Sequence, residues 1–258
     1  MEVRKQIVSQ LVQKGQELLD KPKSEVVQFV RNTKYHQRSE ADKLLNNFQA
    51  FPHAFVIGCI ADKQVDADIA WLTPYNIYTR VRSFEIQDLA NIGLEDFRDI
   101  LEKSNPKHRF HRTLAEEIFL GIRHIVDNYG GNATTIWEDN PSSAAVAKRF
   151  LKFKGIGPKI SSMATNILYR DFKVKFSDYS SIDISADVHI QRVFARLGFC
   201  KEAATVEEII KIARELYPSF PGIMDLPIWE IGKYWCNPTI KRCESCYLKP
   251  SCPSAGRE

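Results

Sequence analysis

The chain has 258 residues, 44% of them hydrophobic and 26% charged, with 36 Lys+Arg against 32 Asp+Glu and a formal charge of +4. This is the balance of a globular chain, and it excludes disordered, collagen-like and disulfide-scaffold classes; the length allows one large or two small domains. No apolar run approaches the ~18 residues of a membrane span, and the opening MEVRKQIVSQ lacks an apolar signal core, so the expectation is an intracellular protein with no membrane partner.

Taken in chain order, the pattern is helical almost throughout. Val3, Ile7, Leu11 and Leu18 recur at helical spacing and predict a helix over about 3–19. Ser39 followed by Asp42 reads as a capping box ahead of Leu44, Leu45 and Phe48. An apolar helix over about 52–61 follows Pro52, and Thr73-Pro74 reads as the N-cap and first position of another. Leu114 to Tyr129 predicts a long helix ended by Gly130-Gly131; Ser142–Phe153 and Pro158–Tyr169 predict two more around Gly155-Ile156-Gly157. Asp187 opens a helix that Gly198 closes, and Thr205 with Glu208 forms a second capping box. Between these, Phe172, Val174 and Phe176 alternate with lysines ahead of Ile182 and Ile184, which predicts a small β-hairpin at about 172–184. The fold class is therefore all-α with at most that one hairpin.

Three constellations carry chemistry. The spacing Cys236-x6-Cys243-x2-Cys246-x5-Cys252 puts four thiols within 17 residues. Such a loop can hold a 4Fe-4S cluster or, as the alternative, zinc. Lys241 and Arg242 lie inside it, with Lys233 and Lys249 on its flanks, so the loop offers either a phosphate-binding surface or an ordinary solvated basic loop. The second constellation is Phe153-Lys154-Gly155-Ile156-Gly157-Pro158-Lys159 between two helices. Its glycines permit positive φ and close phosphate approach, and Pro158 starts a helix whose N-terminus favours an anion. Lys148, Arg149, Lys152, Lys154 and Lys159 surround the turn. This is a helix-hairpin-helix device for gripping DNA without reading sequence, an αα-turn with a glycine cap being the plainer reading. The third is Ser185-Ala186-Asp187-Val188-His189, where a carboxylate at a helix start stays ionised and suits a cationic sugar; a plain N-cap looks the same.

In this order and spacing, the glycine turn with its lysine, the A-D-x-H helix start and the four-cysteine loop resemble the endonuclease III family. These are helix-hairpin-helix DNA glycosylases with a C-terminal 4Fe-4S cluster. The resemblance runs from about residue 40 to Cys252. It implies two helical domains with a DNA-binding cleft between them, residues 40–165 forming a six-helix domain with the hairpin and 1–39 plus 166–258 a cluster domain. It implies a monomer acting on double-stranded DNA that contains a damaged base or abasic site, cytoplasmic and nucleoid-associated or otherwise intracellular.

Carried over residue by residue, Lys159 falls on the lysine of members that also cut the strand, and Asp187 on the catalytic aspartate. Lys159 would then attack C1′ as a neutral amine, with its proton loosened by burial and neighbouring cations. Gly155, Gly157, Lys154, Lys241 and Arg242 would touch DNA. Gln64 falls where a glutamine often fills the gap left by a flipped base, and Phe110 near a wedge that splays the opposite strand. The resemblance leans to oxidised pyrimidines as substrate. Alternatives are a glycosylase without lyase activity acting on mismatched, deaminated or oxidised purine bases, a DNA-binding protein without chemistry, and a zinc-stabilised adaptor. One departure stands out: Lys159 and Asp187 are 28 residues apart, longer than the resemblance leads one to expect, and the surplus is residues 172–184. That insertion could reshape the lesion pocket or touch DNA through Lys173 and Lys175, and it leaves Asp178 and Asp183 as fallbacks for Asp187.

Overall fold

A computed structural model describes residues 2–22 and 27–256. Among these the elements are helices and turns, with a single isolated bridge between Cys236 and Lys241 and no sheet. None of the helices is long and apolar enough to cross a membrane. The chain divides into two compact units, one of Lys23–Pro141 with Lys148–Ile160, the other of Met1–Pro22, Ser142–Ala147 and Ser161–Glu258.

The first unit is built around α3 (Pro52–Ala61), all ten residues of which are buried. Around it pack α2 (Arg38–Asn46), α4 (Ala67–Val81) and α7 (His111–Tyr129), with α5 (Ile86–Ala90) and α6 (Leu94–Glu102) against α7. A helix apolar on every side has no solvent face to offer, so it becomes the core. Phe55 at its centre meets Phe29, Phe48, Trp71, Trp137 and Phe150 at ring distances of 6.0–6.4 Å. A Cβ on Gly58 would lie 2.5 Å from the Trp71 ring, so the close approach of α3 to α4 requires glycine.

Two expected helix starts differ here. Helix α2 begins at Arg38 with no side-chain cap, because the Asp42 carboxylate instead accepts the N–H groups of Phe29 and Val30 at 3.0 and 3.1 Å. Segment 27–32 belongs to no helix or strand, and side chains of Asp42, Asn46 and Asp68 accept its N–H groups. Helix α4 starts at an Asp66 cap and carries Pro74 inside it. Thr73 is no cap: its hydroxyl donates back to the Ile69 carbonyl at 3.1 Å within the helix.

The second unit holds α1 (Glu2–Leu19), α10 (Val188–Arg196), α11 (Val206–Leu216) and α12 (Asp225–Glu230), the last continuing as one π turn over Ile231–Trp235. Helix α1 packs on α12 and the 221–224 turn; α10 packs on α12 and the π turn. Thr205 and Glu208 form the expected reciprocal cap of α11. Helices α8 (Ser143–Phe150) and α9 (Pro158–Arg170) each pass from one unit into the other. Helix α8 stops three residues short of Phe153, where consecutive tight turns begin.

The expected β-hairpin at 172–184 is not formed. Its backbone groups are used elsewhere: the N–H groups of Phe172 and Val174 close the end of α9 on Ile167 and Leu168, and the Ile182 carbonyl accepts from Gly222. Lys173 turns the chain at φ 57°. The alternation that suggested strands is real burial, since Phe172, Phe176, Ile182 and Ile184 are all buried. Phe176 stacks on Tyr169 of α9, and no ladder forms among these residues.

Candidate DNA-contacting and catalytic site

The glycine turn follows from three anchors. Phe153 and Ile156 are buried, and the Ile156 N–H donates to the Phe153 carbonyl at 3.1 Å. Gly155 sits at φ 90°, where a Cβ would lie 2.8 Å from the Glu117 carboxyl carbon. Gly157 differs from expectation: its φ is not positive, and nothing lies within 4 Å of where its Cβ would be. It leaves open surface rather than solving a backbone problem. Lys148, Lys152 and Lys154 are exposed around the turn, and Lys154 is paired with Glu116. Arg149 instead donates to the Ile136 carbonyl at 2.8 Å and braces the fold.

Lys159 lies in the first turn of α9, with its Nζ 2.7 Å from Asp62 Oδ2; the lysine side chain is 34% exposed and the aspartate 10%. This ion pair sets beside Lys159 a carboxylate that the sequence reading did not single out. Asp62 caps the C-terminal end of α3, where its N–H donates to the Cys59 carbonyl. The next residue, Lys63, pairs with the buried Glu117, the same carboxylate that fills the space beside Gly155. Burial, and then the charge of Lys154, hold the Lys63 ammonium below its ordinary range. The end of α3 therefore grips the hairpin on both sides, through Asp62 beyond the turn and through Lys63 and Glu117 before it.

Gln64 follows, exposed and at φ 51°. A left-handed backbone at a residue other than glycine stores strain and gathers at functional loops. Phe110 is half-buried at the N-cap of α7, with the Arg109 guanidinium 4.6 Å from its ring centroid. Its N–H donates to His108 Nδ1 at 3.1 Å, which leaves His108 Nε2 to donate to the Ala61 carbonyl at 3.0 Å. Burial holds that imidazole below its ordinary pKa. Through His108, the structure ties Phe110 to the same end of α3 that carries Asp62, Lys63 and Gln64.

In the other unit, Asp187 caps α10, its Oδ1 accepting the N–H groups of His189 and Ile190 at 2.8 and 2.9 Å. The backbone before it is held from below, because Asp225 accepts the Ser185 N–H at 2.5 Å. Burial pushes Asp225 up to about 6, against the Ser185 N–H and the Arg170 charge that lower it. The fallback aspartates are occupied: Asp183 forms a bidentate pair with Arg214, and Asp178 accepts from Ser143 Oγ at 2.6 Å. Lys173 donates to the carbonyls of Leu19 and Arg170, so it locks the loop, while Lys175 is exposed.

Two arginines that the sequence did not single out join Asp187's helix to the cysteine loop. Arg192 donates to the carbonyls of Gly232 and Cys236, both at 2.7 Å. Arg196 donates to Cys236 Sγ at 3.1 Å and to the Asn237 carbonyl at 2.8 Å. They lie one turn apart on one face of α10, a spacing visible in the sequence, but apart from Cys236 Sγ their acceptors are backbone oxygens that no motif announces. A Cβ on Gly232 would lie 2.7 Å from that of His189, which keeps α10 close to the π turn.

Cys236, Cys243, Cys246 and Cys252 are free thiols that line one cavity with Val193, Leu197, Ile231, Trp235 and Leu248. Burial pushes Cys246 and Cys252 up, and each also feels the other cysteines of the loop. Four thiolates there need a cationic group among them, and the Arg196 donor to Cys236 suits a sulfur that carries charge. No three His, Cys, Asp or Glu side chains among the described residues converge as one metal-ion site. The four thiols line one space, and four sulfurs are a donor set that suits either an iron–sulfur cluster or zinc. Lys241 and Arg242 are exposed in the same loop beside the exposed Ile240.

Comparison with known proteins identifies the family. Residues 57–219 match the sequence profile described as the HhH-GPD superfamily base excision DNA repair protein. Endonuclease III of Thermotoga maritima is 29% identical over 167 residues, covering 64% of this chain and 67% of that protein. Endonuclease III of Bacillus subtilis is 22% identical over 64% of this chain and 60% of its own length. DEMETER-like protein 3 of Arabidopsis thaliana is 24% identical over 76% of this chain but only 19% of that much longer protein. In fold, the chain resembles a trapped endonuclease III–DNA covalent intermediate, with a TM-score of 0.60 and 20% identity over 87% of this chain and 98% of that one. A thermostable thymine-DNA glycosylase is equally similar, with a TM-score of 0.61 and 14% identity over 98% of this chain and 96% of that one. The chain belongs to the HhH-GPD superfamily of base excision DNA repair proteins and is a DNA glycosylase of the endonuclease III type.

Proposed function

We propose that the protein is a bifunctional DNA glycosylase and abasic-site lyase acting on damaged bases in duplex DNA, with oxidised pyrimidines as the favoured class. The observation that carries this reading is Lys159, a partly exposed amine in the first turn after the hairpin and in contact with a carboxylate. The Nζ lone pair forms a bond to C1′ of the target nucleotide, and the base leaves with the electrons of the glycosidic bond. Opening of the sugar gives a Schiff base; loss of a C2′ proton then expels the 3′ phosphate. Asp187, whose Oδ1 accepts two backbone N–H groups at the α10 N-terminus, stabilises positive charge on the sugar. The oxidised-pyrimidine preference rests on the resemblance to endonuclease III.

Gly155, Gly157 and Lys154 take the DNA backbone at the hairpin, and Lys241 and Arg242 add contacts from the cysteine loop. Gln64 and Phe110 enter the duplex where the nucleotide leaves it, an assignment supported by the strained, exposed Gln64 and the half-buried Phe110 on one braced edge. Cys236, Cys243, Cys246 and Cys252 hold a 4Fe-4S cluster, which when bound supplies a cross-link that fixes the basic loop. The protein works as an intracellular monomer on DNA containing a damaged base or abasic site.

Borohydride trapping on a duplex with an abasic site tests the reading. Wild type is expected to form a covalent adduct and Lys159→Ala none. No adduct in either, with base release intact, would leave a glycosylase without lyase activity. A brown purified protein distinguishes cluster from zinc.

A further inference from the structure

The ion pair beneath the hairpin raises a question of protons. A nucleophilic amine must be neutral, yet Lys159 stands 2.7 Å from a carboxylate that is itself 10% exposed. We infer that Asp62 is the group that takes the proton from Lys159, so that the nucleophile carries its own base from the end of α3. This rests on Lys159 being the nucleophile.

The argument is one of desolvation. With a third of the lysine side chain reached by water, ammonium and carboxylate coexist. When a nucleotide covers the amine, that water leaves, and two charges in a dry site become costly. Moving one proton along the existing hydrogen bond turns the ion pair into a carboxylic acid and a neutral amine. No atom need be displaced and no charge is left buried. The amine is then free to bond to C1′ while the acid keeps the proton.

Other titratable groups at this end of α3 are less suited to take the proton. Cys59, on the same helix, is fully buried and its thiol is pushed well up by burial. His108 has both ring nitrogens engaged, one with Ala61 and one with Phe110. Lys63 and Glu117 are committed to each other. Asp62 is held by backbone bonds at the α3 end and faces α9. In the sequence it is merely the residue that interrupts an apolar run.

The test is the single-turnover rate of borohydride trapping on an abasic duplex, followed from mildly acidic to alkaline pH for wild type, Asp62→Asn, Asp62→Glu and Lys159→Ala, with melting curves as a control for folding. Asp62→Asn is expected to form adduct at least about tenfold more slowly at neutral pH and to recover toward wild type as pH rises, because solvent base then removes the proton. Asp62→Glu should keep most of the rate. Three results would overturn the inference: a wild-type rate and pH profile in Asp62→Asn, a loss of equal size at every pH, or a gain at neutral pH, which would mean that Asp62 only holds the amine charged. If Asp62→Asn does not fold, Asp62→Glu decides alone: a profile displaced to alkaline pH despite the retained carboxylate overturns it. Absence of any adduct in wild type would instead refute the lyase reading itself.

Discussion

Gly155→Ala and Gly157→Ala change the same atoms two residues apart, and the structure predicts opposite outcomes. At Gly155, φ is 90° and the new methyl would lie 2.8 Å from the carboxyl carbon of Glu117. A left-handed conformation costs a residue with a side chain roughly 1–2 kcal/mol, and forcing a methyl into filled space adds about 1–3 kcal/mol. Glu117 cannot swing aside cheaply, because it is buried and paired with Lys63. The expected loss is therefore about 2–5 kcal/mol, or roughly 4–20 °C in Tm for a chain of this size. At Gly157, φ is not positive and the methyl would meet nothing within 4 Å. Its effect on stability should stay within about 0.5 kcal/mol, with a small gain from a stiffer unfolded chain. The open face at Gly157 is where a DNA phosphate would approach, so this variant should bind duplex more weakly while remaining as stable as wild type. Urea denaturation followed by circular dichroism, with duplex binding at two salt concentrations, separates the effects. Equal stability losses in the two variants, or a neutral Gly155→Ala, would refute the reasoning.

Substitutions at two further positions test the second unit. Asp187→Asn keeps an N-cap acceptor but removes the charge, so stability should hold within a few tenths of a kcal/mol while trapping and base release fall sharply; Asp187→Ala should lose both, with about 1 kcal/mol of stability. A stable, fully active Asp187→Asn would remove the aspartate from the chemistry. Asp225 is raised from 3.8 to about 6, so the folded state binds the extra proton; its contribution is fully present below pH 3.8 and is lost as pH rises through about 6, amounting to about 3 kcal/mol. His53, lowered to about 4 by burial, works in the opposite direction, losing stability as pH falls from 6.5. Asp225→Asn isolates the first effect: it should be at least as stable as wild type at pH 7, and its advantage should vanish toward pH 4. An advantage independent of pH would refute the assignment.

Much of this protein was legible as a sequence because local chemistry dictates it. The Asp187 cap, the Thr205–Glu208 box and the Gly130 and Gly198 stops each rest on contacts within a few residues, and the apolar run of α3 and the four-cysteine spacing are patterns of adjacent sequence. The family followed from the order of these features along the chain. Only the tertiary structure decided the rest. Asp42 looked like a cap and serves a distant segment, and Pro74 looked like a helix start and lies inside one. The alternation at 172–184 recorded which side chains are buried, but the backbone partners that would have made strands of it were taken by α9 and Gly222. The grip of Asp62 on Lys159 spans 97 residues of sequence, that of Arg192 on the Cys236 loop 44. Hydrogen bonds over such distances depend on where helices pack, and packing is a property of the whole core, which no local pattern encodes.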